Sequence, residues 1–212
     1  MNIEQVRVGT KQPLGVGGRV IQTGIYKSVS AERLNVTDLG LESDAICNRK
    51  HHGGPDQAVY LYSVEDYEFW SERLGATVAA GTFGENLTVS GFDLSEACIG
   101  DRFESADLVL EVAAPRIPCN TLAARMDDKT FAKQFVQVAK SGAYCRVIRT
   151  GSVGAGDSFE YNAYAGDRIT LATFFNDCYR AKSVECLERY LALPIDERAR
   201  AKFKAQLREQ SD

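Results

Sequence analysis

Gln57-Ala58-Val59-Tyr60-Leu61-Tyr62-Ser63-Val64-Glu65-Asp66-Tyr67 changes its local rule part-way along. Up to Tyr62 it is a short run of β-branched, aromatic and aliphatic residues, the composition of a strand. Ser63 and Asp66 then resemble a capping box, leading into Tyr67, Trp70 and Leu74 at helical spacing. A strand that passes directly into a helix sets the pattern for the chain around it. Asn86 to Val89, Leu108 to Val112, Cys145 to Ile148 and Ile169 to Leu171 are further β-like runs, most of them bounded by Gly, Asp, Asn or Pro. Between them Asp128 to Lys140 places Phe131, Phe135 and Val138 at helical spacing, with Asp128 suited to capping. Many short strands without regular βαβ alternation predict a β-rich α+β fold, a barrel or folded sheet rather than a Rossmann layer.

Glycine placement divides the chain. All 18 glycines lie between Gly9 and Gly166, and the stretch after Gly166 has one proline, Pro194. That tail reads as three helices. The first carries Phe174, Phe175, Cys178 and Tyr179; the second opens at Ser183 with Val184, Leu187 and Leu191. The third is capped by Asp196 and carries Ala199, Phe203 and Leu207. The expected organisation is a body over residues 1–166 and a three-helix segment over 167–212. The segment would serve packing or dimerisation, which leaves a homodimer open.

With 212 residues, 29 acidic and 25 basic side chains, the formal charge is −4. A hydrophobic share of 44% and a charged share of 25% are ordinary for a globular domain and exclude disorder and fibrous repetition. The mild acidity argues against stable nucleic-acid binding. No apolar run approaches a membrane span, and Met1-Asn2-Ile3-Glu4-Gln5 is too polar for a signal peptide, so a cytoplasmic protein is expected. Six cysteines without a Cys-x-x-Cys pair read as free thiols in that compartment. Gly15-Val16-Gly17-Gly18 and Gly151-Ser152-Val153-Gly154-Ala155-Gly156 lack the context of a nucleotide-binding loop and read as turns.

Two stretches carry chemistry. Asn48-Arg49-Lys50-His51-His52-Gly53-Gly54-Pro55-Asp56 holds both histidines of the chain, beside two cations and two glycines. Glycine lets backbone N–H groups approach an anion, and Lys and His add charge-assisted donors. A phosphate or oxyanion site follows, with a solvated polar loop as the plain alternative and a metal held by Cys47, His51 and His52 as a minor one. Pro115-Arg116-Ile117-Pro118-Cys119-Asn120-Thr121-Leu122 stiffens the approach to a cysteine at the start of a short helix, Asn120 to Arg125. A thiol there, near Arg116, is expected to have a lowered pKa and to serve as nucleophile or soft-metal ligand. A buried structural cysteine is the other reading, and the residues alone leave both standing.

The run from Lys50 to Tyr60 resembles the signature of the MOSC domains, named after the C-terminal region of molybdenum cofactor sulfurases. Gly81-Thr82-Phe83-Gly84-Glu85-Asn86-Leu87-Thr88, Ile99-Gly100-Asp101, Pro115 to Cys119 and Gly142-Ala143-Tyr144-Cys145-Arg146-Val147 are similar to the blocks that follow. Their order and the helical tail resemble the YiiM-type subgroup. The resemblance implies a distorted β-barrel with inserted helices, which binds the molybdenum cofactor (molybdopterin) with Cys119 as molybdenum ligand and catalytic residue. It implies that Lys50, His52, Gly53, Gly54, Asn86, Arg116 and Arg146 bind the cofactor. Asp44 would orient a histidine or cation. The implied reaction is two-electron reduction of N-hydroxylated compounds, such as hydroxylaminopurine bases, with electrons from a separate reductase. Two rivals are a sulfur carrier or cofactor-handling protein with a Cys119 persulfide, and a hydrolase pairing Cys119 with His52. The chain departs from the family pattern at Ser43, where glycine is common, and at Ala139-Lys140-Ser141-Gly142, an altered glycine-rich stretch.

Overall fold

A computed structural model describes residues 1–210. Six strands precede the histidine loop: β1 (Asn2–Gly9), β2 (Gln12–Val16), β3 (Arg19–Thr23), β4 (Lys27–Val29), β5 (Leu34–Thr37) and β6 (Gly40–Leu41). Then follow β7 (Val59–Ser63), α1 (Val64–Leu74), β8 (Leu87–Ser90), β9 (Arg102–Glu104) and β10 (Val109–Pro115). The remainder is α2 (Asn120–Arg125), α3 (Phe131–Val138), β11 (Ala143–Arg149), β12 (Gly151–Val153), β13 (Glu160–Asn162), α4 (Leu171–Asp177), α5 (Val184–Ala192) and α6 (Glu197–Glu209).

Eight strands form one sheet in the order β13-β9-β10-β11-β7-β8-β1-β4. All neighbours are antiparallel except β7 and β8, which are parallel because α1 carries the chain across between them. The sheet curls back on itself. The Ile3 N–H donates to the Asp157 carbonyl, the Gly156 N–H to Ile3 and the Phe159 N–H to Met1, each at 2.8 Å, which ties β1 to the segment before β13. A distorted barrel, as expected, is the result. The β2–β3 hairpin turns at Gly17-Gly18, both with positive φ, as a two-residue turn between twisted strands requires.

β7 lies at the centre, and all five of its residues are buried. Side chains alternate across a strand, so Val59 and Leu61 enter the core that continues into the C-terminal helices. Tyr60 and Tyr62 enter a second, aromatic core with Tyr67, Trp70, Phe83, Phe131 and Phe135. Trp70 Nε1 donates to the Tyr62 hydroxyl at 2.8 Å and stacks on Phe135 at 5.7 Å, so its polar edge is satisfied in full burial.

The tail forms the three helices expected, with Ser183 and Asp196 accepting the predicted capping bonds. Leu171, Phe174, Leu187, Tyr190 and Phe203 belong to the same core as the sheet. One expected strand is absent: around Ile169 only a single bridge, Cys98 with Thr170, forms. Thr170 instead accepts from the Thr173 N–H and starts α4, a cap overriding β-propensity. The two departures from the family pattern fall on left-handed backbone, with Ser43 at φ 68° and Ala139 at φ 59°. Among the described residues no helix is long and apolar enough to cross a membrane.

Candidate active site

β10 ends at Pro115, and Pro118 sets the backbone that delivers Cys119 to the N-cap of α2. The Cys119 thiol faces a cleft with His52, Gly53, Lys27, Asp44, Asn86 and Arg116 on its walls. The enclosed part holds about 120 Å³, and about 760 Å³ when the space open to solvent is included. Burial raises the pKa of Cys119, but contact with His52, the Arg116 charge and the Leu122 N–H outweigh it and bring the thiol down to about 6. It is the only cysteine of the described chain drawn downward. Burial pushes Cys145 far up and Cys178 to about 11.

Arg116 is 5% exposed. Its guanidinium lies 5.0 Å from the Tyr60 ring centre and donates to the Phe83 carbonyl, yet its Nε is buried without a partner. Such an orphaned donor costs free energy unless a ligand meets it. Opposite stands a buried ion pair, Lys27 Nζ to Asp44 at 2.5 Å. Burial lowers the Lys27 pKa, and Asp44 works against that shift. The Asp44 carboxylate also accepts from the Gly9 N–H at 2.7 Å and from Asn86 Nδ2 at 2.9 Å. The expected role of Asp44 in orienting a cation is thus met by Lys27.

Of the sequence-predicted site residues, Cys119, His52, Gly53, Asn86 and Arg116 share this cleft. Gly53 has φ 69°, and a Cβ there would stand 2.7 Å from the Ile46 side chain, so glycine is required on both counts. Asn86 lines the cleft with its amide already engaged. Its Oδ1 accepts from the Tyr60 N–H, and its Nδ2 donates to Asp44 and to the Arg7 carbonyl. It braces the wall rather than offering a free amide to a ligand.

Lys50, Gly54 and Arg146 do not line the cleft. Lys50 is exposed at the tip of the turn in which the His52 N–H donates back to Asn48. Gly54 caps the short 3-10 turn of Pro55–Gln57. Arg146 is committed elsewhere: Nε to Asp56 at 2.8 Å, Nη1 to Glu111 at 3.0 Å and Nη2 to the Ile195 carbonyl. Its expected cofactor contact is therefore corrected to a structural one. No cluster of three or more His, Cys, Asp or Glu suited to a metal ion occurs among the described residues, so Cys47, His51 and His52 do not form one.

Sequence reasoning missed Lys27, Tyr60 and Tyr144. The tyrosines follow from strand alternation, both lying on the cleft side of adjacent strands with rings 4.9 Å apart. Lys27 left no local signal, since only the fold brings it to Asp44.

The MOSC domain family model matches residues 48–160, from the histidine loop to the start of β13. The uncharacterized protein YflK of Bacillus subtilis (strain 168) is 33% identical over 205 residues, 95% of this chain and 92% of that protein. Protein YiiM of Escherichia coli (strain K12) is 34% identical over 137 residues, 63% of this chain and 61% of its own length. A protein named Reductase from Gibberella moniliformis (strain M3125 / FGSC 7600) is 30% identical over 158 residues, 73% of this chain but 28% of that protein. The crystal structure of YiiM from Geobacillus stearothermophilus superposes with a TM-score of 0.80 at 25% identity, covering 97% of this chain and 98% of that one.

Proposed function

Because this chain belongs to the MOSC domain family, in its YiiM-type subgroup, we propose that it holds the molybdenum cofactor in the Cys119 cleft and reduces N-hydroxylated compounds to amines. The observation that carries the reading is a cysteine brought down to about 6 on the wall of a cleft where Arg116 keeps a buried, unpartnered Nε. A thiolate is a fitting ligand for a soft metal, and a guanidinium donor fits an anionic cofactor. The residues present fit the group.

Cys119 would ligate the metal, and Arg116, Lys27 and His52 would face the anionic parts of the cofactor. The cofactor, when bound, supplies two-electron oxygen-atom chemistry. The chain's own residues position and shield. Tyr60 and Tyr144 close the cleft floor, and burial raises the pKa of both hydroxyls, which therefore keep their protons. His52 shares the cleft with the thiol and favours its ionised form. The net reaction, R–NHOH + 2e⁻ + 2H⁺ → R–NH2 + H2O, takes its electrons from a separate reductase. A relative named a reductase supports redox chemistry, and its much greater length is compatible with an electron donor outside this chain.

The decisive experiment is molybdenum and pterin analysis of protein made in a cofactor-competent host, with reductase-coupled turnover of an N-hydroxylated base. Stoichiometric metal that is lost in Cys119→Ser, together with lost turnover, is expected. Protein that carries no molybdenum from such a host overturns the reading. The Cys119–His52 contact also favours a second reading, a thiol hydrolase, which predicts metal-free hydrolysis of activated esters abolished by His52→Ala. A persulfide on Cys119 without reductase-dependent activity would instead mark a sulfur carrier.

A further inference from the structure

A second cavity, of about 360 Å³, lies between α4, α6 and the chain leaving β10. His52, Gln57 and Tyr144 line both it and the Cys119 cleft, so one layer of side chains separates the two. Its rim is apolar and open: Ile117 is 41% exposed and Tyr179 47%, large hydrophobics left in water on one feature. Further in, Phe174 and Phe203 supply aromatic surface.

The polar groups are arranged by position. On α6, Arg198 and Lys202 are four residues apart and face the cavity together. The one carboxylate on its wall, Asp196, is occupied in accepting from the Arg198 and Ala199 N–H groups. Lys202 is exposed and forms no ion pair among the described residues. On the shared wall Gln57 Oε1 is buried without a donor, and Arg198 Nη2 is already held by the Arg49 and Gly53 carbonyls, so Lys202 carries the uncommitted charge of the rim. A ligand that satisfies this cavity therefore has an aromatic ring for the apolar walls. It has negative charge for the α6 cations at the rim.

We propose that this cavity binds an anionic aromatic ligand, with its ring against the apolar walls and its phosphate or carboxylate at Arg198 and Lys202. That this ligand is the N-hydroxylated substrate rests on the reductase reading, but the binding itself does not. A nucleoside phosphate and an aromatic carboxylate share the required chemistry.

The test is calorimetric titration of cofactor-free protein with four probes: adenosine 5′-monophosphate, adenosine, benzoate and benzamide. At least one anion is expected to bind about tenfold more tightly than its neutral counterpart, and which pair shows this identifies the anionic group. Lys202→Ala, at an exposed position, should erase that difference while leaving the neutral probe unchanged. Tyr179→Ala should weaken both members of the pair. Equal binding of anion and neutral probe in both pairs, or an anion preference that survives Lys202→Ala, overturns the proposal. Failure to load molybdenum would refute the reductase reading and leave this binding result intact. Conversely, a loaded enzyme that reduces charged and neutral N-hydroxylated substrates equally, and does so unchanged in Lys202→Ala, would sink this proposal alone.

Discussion

Cys119 should titrate near pH 6, three units below its ordinary value of 9.0, because His52, Arg116 and the Leu122 N–H stabilise the thiolate against the cost of burial. At pH 7 that makes it roughly nine-tenths thiolate, where an ordinary thiol is about one part in a hundred. Nucleophilicity falls as pKa falls, with a Brønsted slope of about 0.4–0.5, and returns a factor of roughly 15 to 30. The net expectation is alkylation about three- to sixfold faster than an equally accessible normal cysteine at pH 7, widening to about fifteen- to thirtyfold at pH 6. Iodoacetamide trapping across pH 5–9 with peptide mass mapping separates Cys119 from the other five cysteines. His52→Ala should move its midpoint upward.

The same shift makes a stability prediction. A thiol whose folded pKa is depressed stabilises the fold only where it is ionised, so the gain grows from pH 6 to pH 9 and is lost as pH falls through 6. It amounts to about 1.4 kcal/mol at pH 7, an upper bound because solvent reaches the open side of the cleft. Cys119→Ser should therefore approach wild-type stability below pH 6 and fall behind it as pH rises. A Cys119 midpoint of 8–9, with a pH-independent gap between the two proteins, would refute the argument.

Arg146→Ala should destabilise by about 1–3 kcal/mol, because Asp56 loses its charged partner and keeps only the Glu197 N–H, while Glu111 keeps Arg102. Urea midpoints at constant slope measure this, and cofactor retention should change no more than folding does. Ser43→Gly and Ala139→Gly should each stabilise by about 1 kcal/mol by relieving left-handed backbone, read as a raised melting temperature. The isolated 167–212 segment should show weak helicity by circular dichroism, since Leu187 and Phe203 bury against the sheet. A cooperative melt of that peptide would contradict the shared core.

What was legible in the sequence is what local rules decide. Ser63, Ser183 and Asp196 announced their helices because a capping bond closes within three residues. The cysteine motif was legible from Pro115 and Pro118, which punctuate the chain before it, and α2 begins at Asn120 as expected. β1 was not, because Asn2–Gly9 mixes polar and apolar residues and gains its partners β8 and β4 only through distant pairing. Arg146 shows the same limit within one strand. Alternation puts Tyr144 and Arg146 on one side of β11, but two residues are about 6.6 Å along the strand. Tyr144 reaches the cleft, and Arg146 overshoots it to meet Asp56.

That overshoot explains how the tail and the histidine loop depend on one another. Asp56 accepts from Arg146 through one oxygen and from the Glu197 N–H, at the start of α6, through the other. Arg198, one residue on, donates to the carbonyls of Arg49 and Gly53, the residues that bracket His51 and His52. The same arginine lines the second cavity. So α6 holds the loop that presents His52 to Cys119, and in doing so builds a wall of the neighbouring pocket. The sheet supplies Arg146 to lock that arrangement from below. A three-helix segment that only filled space would not need its first turn hydrogen-bonded to both sides of the histidine pair. Because Arg198 fixes the backbone on either side of the histidine pair, Arg198→Ala is expected to move the Cys119 midpoint upward, which the same iodoacetamide trapping reads.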